Sequence, residues 1–149
     1  MSEYKLVPGS HGTRRSFSMT VGIMPGYYSG AAPKAIEEAV GIAEAWMKER
    51  AAKGLPYLTG TVVRGDVVYA WPEGEGKAGS GTEPVAIFYG EVSPLYNGGI
   101  GDDEVLELLR ELAACFGTDL EQTRVYVSYR NETWIMQAEK TETPTGESV

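Results

Sequence analysis

The chain has 149 residues, 42% of them apolar and 10% aromatic, and its 13 Lys and Arg against 21 Asp and Glu give a formal charge of −8. That length suits one domain burying roughly 68–70% of its unfolded surface, and the apolar content excludes wholesale disorder. One cysteine, Cys115, excludes an internal disulfide framework and a cysteine-built zinc site, and one histidine, His11, excludes a multi-histidine metal centre within a chain.

Residues 1–15 carry Pro8-Gly9 and Gly12 with little periodicity and read as an arm, ahead of a single domain over 16–138 and a polar tail over 139–149. From Phe17, apolar Phe17, Met19, Val21 and Ile23 alternate with Ser16, Ser18, Thr20 and Gly22, the pattern of a half-buried strand. Pro25-Gly26 stops it, and Tyr27–Ala32 reads as a Gly-containing loop. Pro33 suits the first position of a helix. Ile36, Ala39, Val40, Ala43, Trp46 and Met47 then follow helical spacing up to Gly54 and Pro56.

Tyr57–Val63 and Asp66–Trp71 are β-rich runs that form either a hairpin or one kinked strand, and Gly-rich Pro72–Glu83 reads as a mobile loop. Pro84–Val92 is apolar on both faces, as a central strand is. Ser93–Gly101 is a turn region. A second helix is expected from Asp102 to Phe116, with Val105, Leu108, Leu109, Leu112, Cys115 and Phe116 as its buried stripe and Gly117 closing it. Thr123–Tyr129 is a strand, and Thr133–Ala138 is a short final one.

The order β-α-β(β), β-α-β(β) predicts an α/β (α+β) fold. Two β-α-β units form one four-stranded sheet with both helices on one face, because each helix has a single apolar stripe to bury. A ferredoxin-like sheet, antiparallel throughout, is the alternative.

Most motif matches reduce to local structure. Gly74-Glu75-Gly76-Lys77-Ala78-Gly79 fits a dinucleotide fingerprint in letters but opens a strand, not a helix, and so reads as a flexible loop. Arg64-Gly65-Asp66 and Asn131-Glu132-Thr133 read as turns. Cys115 lies on an apolar stripe, where a buried inert thiol is expected. Asp102, Asp103 and Glu104 suit the positive end of a helix dipole; three consecutive helical residues point apart and make a poor metal site. No metal and no cofactor are expected.

The acidic excess is concentrated, since residues 101–122 carry seven acids against Arg110 alone. Phosphate binding needs clustered Lys and Arg, so nucleic acid is not an expected partner. No apolar run approaches the ~18–20 residues of a membrane helix, and Met1–Thr13 lacks a hydrophobic centre, so the expected location is cytoplasmic with no membrane partner. Eight tyrosines from Tyr27 to Tyr129 are too many for the core alone; alternation puts Tyr126 and Ser128 opposite Val125, Val127 and Tyr129.

Gly81-Thr82-Glu83-Pro84 before a strand, Asn97-Gly98-Gly99, the helix with Leu108-Leu109 and Leu112-Ala113, and Arg124-Val125-Tyr126-Val127-Ser128-Tyr129 resemble the tautomerase superfamily, in particular its macrophage migration inhibitory factor branch. The resemblance implies a homotrimer with a small-molecule pocket at subunit edges, into which Tyr126 would project. Ser128 matches a position where the family has a polar amide, and Lys53 lies close to a family lysine. The family's base is an N-terminal proline at the start of strand one. This chain begins Met1-Ser2, and its prolines have no free amine. The reading is therefore a tautomerase-fold protein binding a small molecule in a Tyr-lined inter-subunit pocket without the proline base. The alternatives are an isomerase or lyase using another base, Lys53 or Tyr126, and a ferredoxin-like interaction module presenting its acidic helix.

Overall fold

The structure is a computed structural model that describes residues 2–25, 32–97 and 99–139. Strands β1 (Ser16–Gly22), β2 (Thr61–Gly74), β3 (Lys77–Glu91), β4 (Arg124–Tyr129) and β5 (Glu132–Gln137) form one sheet in the order β2-β3-β1-β4-β5. Helix α1 (Ile36–Ala52) connects β1 to β2. The short α2 (Pro94–Asn97) and the long α3 (Asp102–Asp119) connect β3 to β4. The α+β class, the two β-α-β units and the shared helix face are as expected. The sheet has five strands where four were expected, and every pairing is antiparallel, which is the arrangement of the ferredoxin-like alternative.

Alternation along the strands builds the core. Phe17, Met19 and Val21 of β1, Ala86 and Phe88 of β3, and Val125, Val127 and Tyr129 of β4 face the helices and are buried. Phe88 joins the layers, with its ring centroid 5.6 Å from Phe17 and 5.9 Å from Phe116. From α3 come Val105, Leu108, Leu109, Leu112 and Phe116, the expected stripe except for Cys115, which is only partly buried. From α1 come Ala39, Ala43 and Trp46. The two alanines let α1 lie close, so Ile36, Ile42 and Met47 flank the contact while Val40 faces outward. Arg50 ties the helices together, its Nη1 donating to Glu111 at 2.8 Å while its guanidinium lies over Trp46.

Several boundaries differ from expectation for identifiable reasons. Helix α1 starts at Ile36, with Ala35 as its N-cap, rather than at Pro33. Helix α3 runs through Gly117 to Asp119, because Gly117 is the point at which it approaches Val125 of β4. The expected mobile loop over 72–83 is instead the turn and arms of a β2–β3 hairpin. Gly74 and Gly76 take positive φ at its tip. Tyr69 and Trp71 lie opposite Gly81 and Gly79, whose missing side chains make room for the two rings. Arg64-Gly65-Asp66 lies within β2 rather than at a turn, since Gly65 packs on Ile87 and Val85 of β3. Of the expected turn at Asn131-Glu132-Thr133 only Asn131 lies in the turn, beside Arg130 at φ 54°; Glu132 and Thr133 open β5, paired with Tyr129 and Ser128 of β4. The expected loop over 27–32 lies outside the described residues except for Ala32, and the tail beyond Glu139 lies outside them altogether.

Candidate functional site

Neither helix covers the second face of the sheet. It carries Val63, Val67, Tyr69 and Trp71 of β2, Val85, Ile87 and Tyr89 of β3, Thr20 and Gly22 of β1, Arg124, Tyr126 and Ser128 of β4, and Ile135 of β5, in the order the register dictates. Tyr69, Trp71, Tyr89, Tyr126 and Ile135 are all exposed there. Val85 is nonetheless 3% exposed, because side chains close over it at one end of the face.

That end holds a groove in two connected parts. One, of about 330 Å³, lies over Gly22 and Val85 and is flanked by Val67, Glu83, Arg124 and Tyr126. The other, of about 230 Å³, lies between Met24, Tyr69, Pro84 and Glu121. Glu83, Gln122 and Thr123 border both. Together the two parts fall in the range of ~300–1,000 Å³ usual for small-molecule sites.

Three side chains give the groove its chemistry. Gln122 follows α3 and donates its amide Nε2 to the Met24 carbonyl at 2.6 Å and to the Leu120 carbonyl at 3.1 Å. With both amide hydrogens committed, its Oε1 is turned toward Gly22. Glu83 reaches the same place from β3: a Cβ on Gly22 would stand 2.5 Å from Glu83 Oε1 and closer still to Gln122 Oε1. Among the described residues the Glu83 side chain makes no hydrogen bond and no ion pair. Arg124 borders the groove from β4, its Nε donating to Gln137 at 3.0 Å. Two oxygen acceptors thus face a space that glycine leaves open, with a guanidinium on the same rim.

The residues singled out from the sequence separate. Tyr126, half exposed, is in the groove; Ser128 lies two residues along the same face, toward the middle of the sheet. Lys53 is at the C-terminal end of α1, on the helix side, exposed and paired with Glu49 at 2.9 Å. The sheet therefore stands between Lys53 and Tyr126. Period-2 alternation does place Arg124 beside Tyr126, but nothing in the letters brings Glu83, Gln122 and Gly22 together, since they come from three elements.

Other candidates are weaker. A wider hollow of about 930 Å³ near Leu55, Tyr57 and Tyr96 has its amide and its carboxylate occupied, as Asn97 donates to the Tyr57 carbonyl and Glu91 accepts from Ser16 and pairs with Arg14. Cys115 is partly buried, and burial together with Asp119, Glu111 and Glu49 pushes its thiol up, so it stays protonated and unreactive. His11 is exposed on the arm. Among the described residues no group of acids, His and Cys has the geometry to hold a metal ion, and no helix is long and apolar enough to cross a membrane.

No protein-family model matches the sequence, and no curated protein matches it. Two solved structures do match in shape. One is a phage SAM lyase in complex with S-methyl-5'-thioadenosine, at a TM-score of 0.57 and 16% identity. The other is a phage SAM lyase in its apo state, at a TM-score of 0.60 and 18% identity. Both alignments cover 95% of this chain and 100% of the other. The shared feature is the fold. At these identities it carries no residue roles across.

Proposed function

We propose that the chain is a lyase that cleaves a nucleoside sulfonium of the S-adenosylmethionine (SAM) type in the groove between Glu83 and Tyr126. The observation that carries this reading is the convergence of an unpaired carboxylate with a tyrosine-bordered cleft in one two-part groove. The likeness to phage SAM lyase along nearly the whole chain supports it. The part beside Tyr69, Met24 and Pro84 suits a flat nucleoside, and the part over Gly22 suits a short charged chain. This reading keeps the tyrosine-lined small-molecule site and the lyase alternative, and sets aside keto–enol exchange.

Conversion of SAM to S-methyl-5'-thioadenosine breaks the bond between sulfur and Cγ of the aminocarboxypropyl chain. The bonding pair goes to sulfur, which loses its positive charge. The four-carbon fragment then either gives up a Cβ proton and becomes an alkene, or closes through its own carboxylate oxygen on Cγ as a lactone. The first route needs a base at Cβ; the second needs none and leaves Glu83 to hold the positive charge of the ligand. The apolar wall of Val67 and Val85 favours the loss of charge on sulfur over its retention.

The groove opens onto the uncovered sheet face, where Tyr89 and Ile135 are also exposed, so a second subunit on that face would enclose the ligand. A homo-oligomer, with a trimer as the expected size, belongs to this reading, and light scattering reports it. The deciding experiment incubates the full chain with SAM and follows S-methyl-5'-thioadenosine by chromatography, identifying the four-carbon product as alkene or lactone. Formation that falls at least tenfold in Glu83→Gln or Tyr126→Phe supports the assignment. Absence of both product and SAM binding overturns it.

A further inference from the structure

We infer that the half of the groove over Gly22 is a seat for an α-amino acid head group, with Glu83 and Gln122 taking the ammonium and Arg124 the carboxylate. This deepens the lyase reading and rests on it for the identity of the ligand, though not for the seat itself.

The argument starts from Gly22. Its φ is not in the left-handed region and nothing in its strand pairing requires glycine. What a side chain there would do is fill the space between Glu83 Oε1 and Gln122 Oε1. Both oxygens lie close enough to that one point for a single nitrogen to bridge them at ordinary hydrogen-bond lengths of about 2.8–3.0 Å. The Gln122 amide cannot rotate to offer a donor instead, because its nitrogen is held by two backbone carbonyls. The point between the two oxygens therefore offers acceptors alone, and the charge facing it is that of Glu83. A group with two or more N–H bonds and a positive charge satisfies that point; a carboxylate or a phosphate is rejected there.

On the same rim Arg124 uses Nε on Gln137, and among the described residues it has no ion pair. Its terminal nitrogens remain for a second ligand group, and guanidinium favours a carboxylate held by two parallel hydrogen bonds. An acceptor pair and a guanidinium bordering one small cavity match the two ends of a zwitterion. The apolar floor of Val85 and the wall of Val67 receive the carbons between that head group and the rest of the ligand.

Two sources of an N–H group exist in a SAM-like ligand: the α-ammonium and the exocyclic amine of adenine. The carboxylate of Glu83 favours the cation. The test is calorimetry on the full chain with S-adenosylhomocysteine, which carries the head group, and with S-methyl-5'-thioadenosine, which lacks it. Gly22→Ala places a methyl group in the seat, against the ends of two flexible side chains, and Arg124→Gln removes the carboxylate partner; unchanged melting shows that each variant is folded. Both variants are expected to weaken S-adenosylhomocysteine at least tenfold and to leave S-methyl-5'-thioadenosine within twofold. Equal weakening of both ligands, or none, overturns the seat. So does a loss that appears instead when adenine is replaced by hypoxanthine. If neither nucleoside binds the unaltered chain, L-methionine becomes the probe of the seat, and the lyase reading is decided separately by SAM binding and turnover. Amide NMR shifts around Gly22 and Arg124 that vanish in Gly22→Ala uphold the seat; no shifts overturn it.

Discussion

Tyr129 donates its phenol hydrogen to Asp102 Oδ1 at 2.5 Å, so the last residue of β4 is fastened to the first residue of α3. Arg15, just ahead of β1, joins both: its Nε donates to the Tyr129 hydroxyl at 3.0 Å and its Nη2 to Asp102 at 2.9 Å. Arg130 adds a longer contact to the same carboxylate. One acid at a helix N-terminus therefore holds together the entry to β1, the exit of β4 and the start of α3. The tyrosine ring is buried, while the carboxylate stays largely in solvent.

This cluster gives a pH dependence of known sign. The hydrogen bond from Tyr129 first, and that from Arg15 second, hold the Asp102 carboxyl below its ordinary 3.8. A group depressed in the folded state contributes stability above its unfolded pKa and loses it as pH falls through the folded value. The difference in urea midpoint between the native chain and Asp102→Asn should be largest near neutrality and shrink as pH drops through and below 3.8. A difference independent of pH would show that the charge of Asp102 contributes nothing. Tyr129→Phe keeps the ring and removes the hydroxyl, and should cost about 1–2 kcal/mol at neutral pH.

The β2–β3 hairpin beyond Pro84 has no helix beneath it, and a lone two-stranded ribbon is marginal in water. Its cover is local: Tyr69 and Trp71 stack with centroids 5.8 Å apart and lie across Gly81 and Gly79. Trp71→Ala should therefore raise hydrogen exchange over residues 68–82 severalfold while leaving β1 and α3 unchanged. Gly79→Val should do the same by displacing the indole. Exchange that rises equally throughout the domain would mean the ribbon unfolds only with the core.

These elements show what was legible in the sequence and what was not. Strong periodicity gave β1, α3 and the central place of β3, because Phe17-Met19-Val21 and the Leu108–Phe116 stripe are fixed by burial. The ribbon reads as a loop because its glycines count as turn signals on their own; the partners of Gly79 and Gly81, Trp71 and Tyr69, stand eight and twelve residues away in the chain. Alternation places Tyr126 on the face opposite Val125, Val127 and Tyr129, without saying which of the two faces the helices cover. Lys53 was placed by likeness of letters, and no periodicity says which side of the sheet the end of a helix reaches.

Lys53 accordingly gives a clean negative control. Its ammonium pairs with Glu49, an acid that this contact holds below the ordinary carboxylate range, and both are on the helix side. Lys53→Met should leave ligand binding and any turnover within twofold. A loss of tenfold or more would place Lys53 in the site, through a second subunit, since the sheet separates it from Tyr126 within one chain.

Two helical glycines separate propensity from packing. Gly41 lies on the exposed side of α1, and a methyl group there meets nothing within 4 Å. Alanine in a helix interior is favoured over glycine by roughly 0.8–1 kcal/mol, so Gly41→Ala should stabilise by about that amount. Gly117 has the same propensity to gain in α3, but its Cβ would stand 3.3 Å from Val125 Cγ2 and 3.5 Å from the Gln122 carbonyl. The helix can relieve that crowding only by moving off β4, where Val125 is 3% exposed. Gly117→Ala should therefore gain less than Gly41→Ala or lose stability outright, an ordering that urea denaturation of the two variants reads directly. It should also shift Gln122, whose carbonyl touches the new methyl group and whose amide shapes the groove, so the weaker of the two folds is also expected to be the weaker binder.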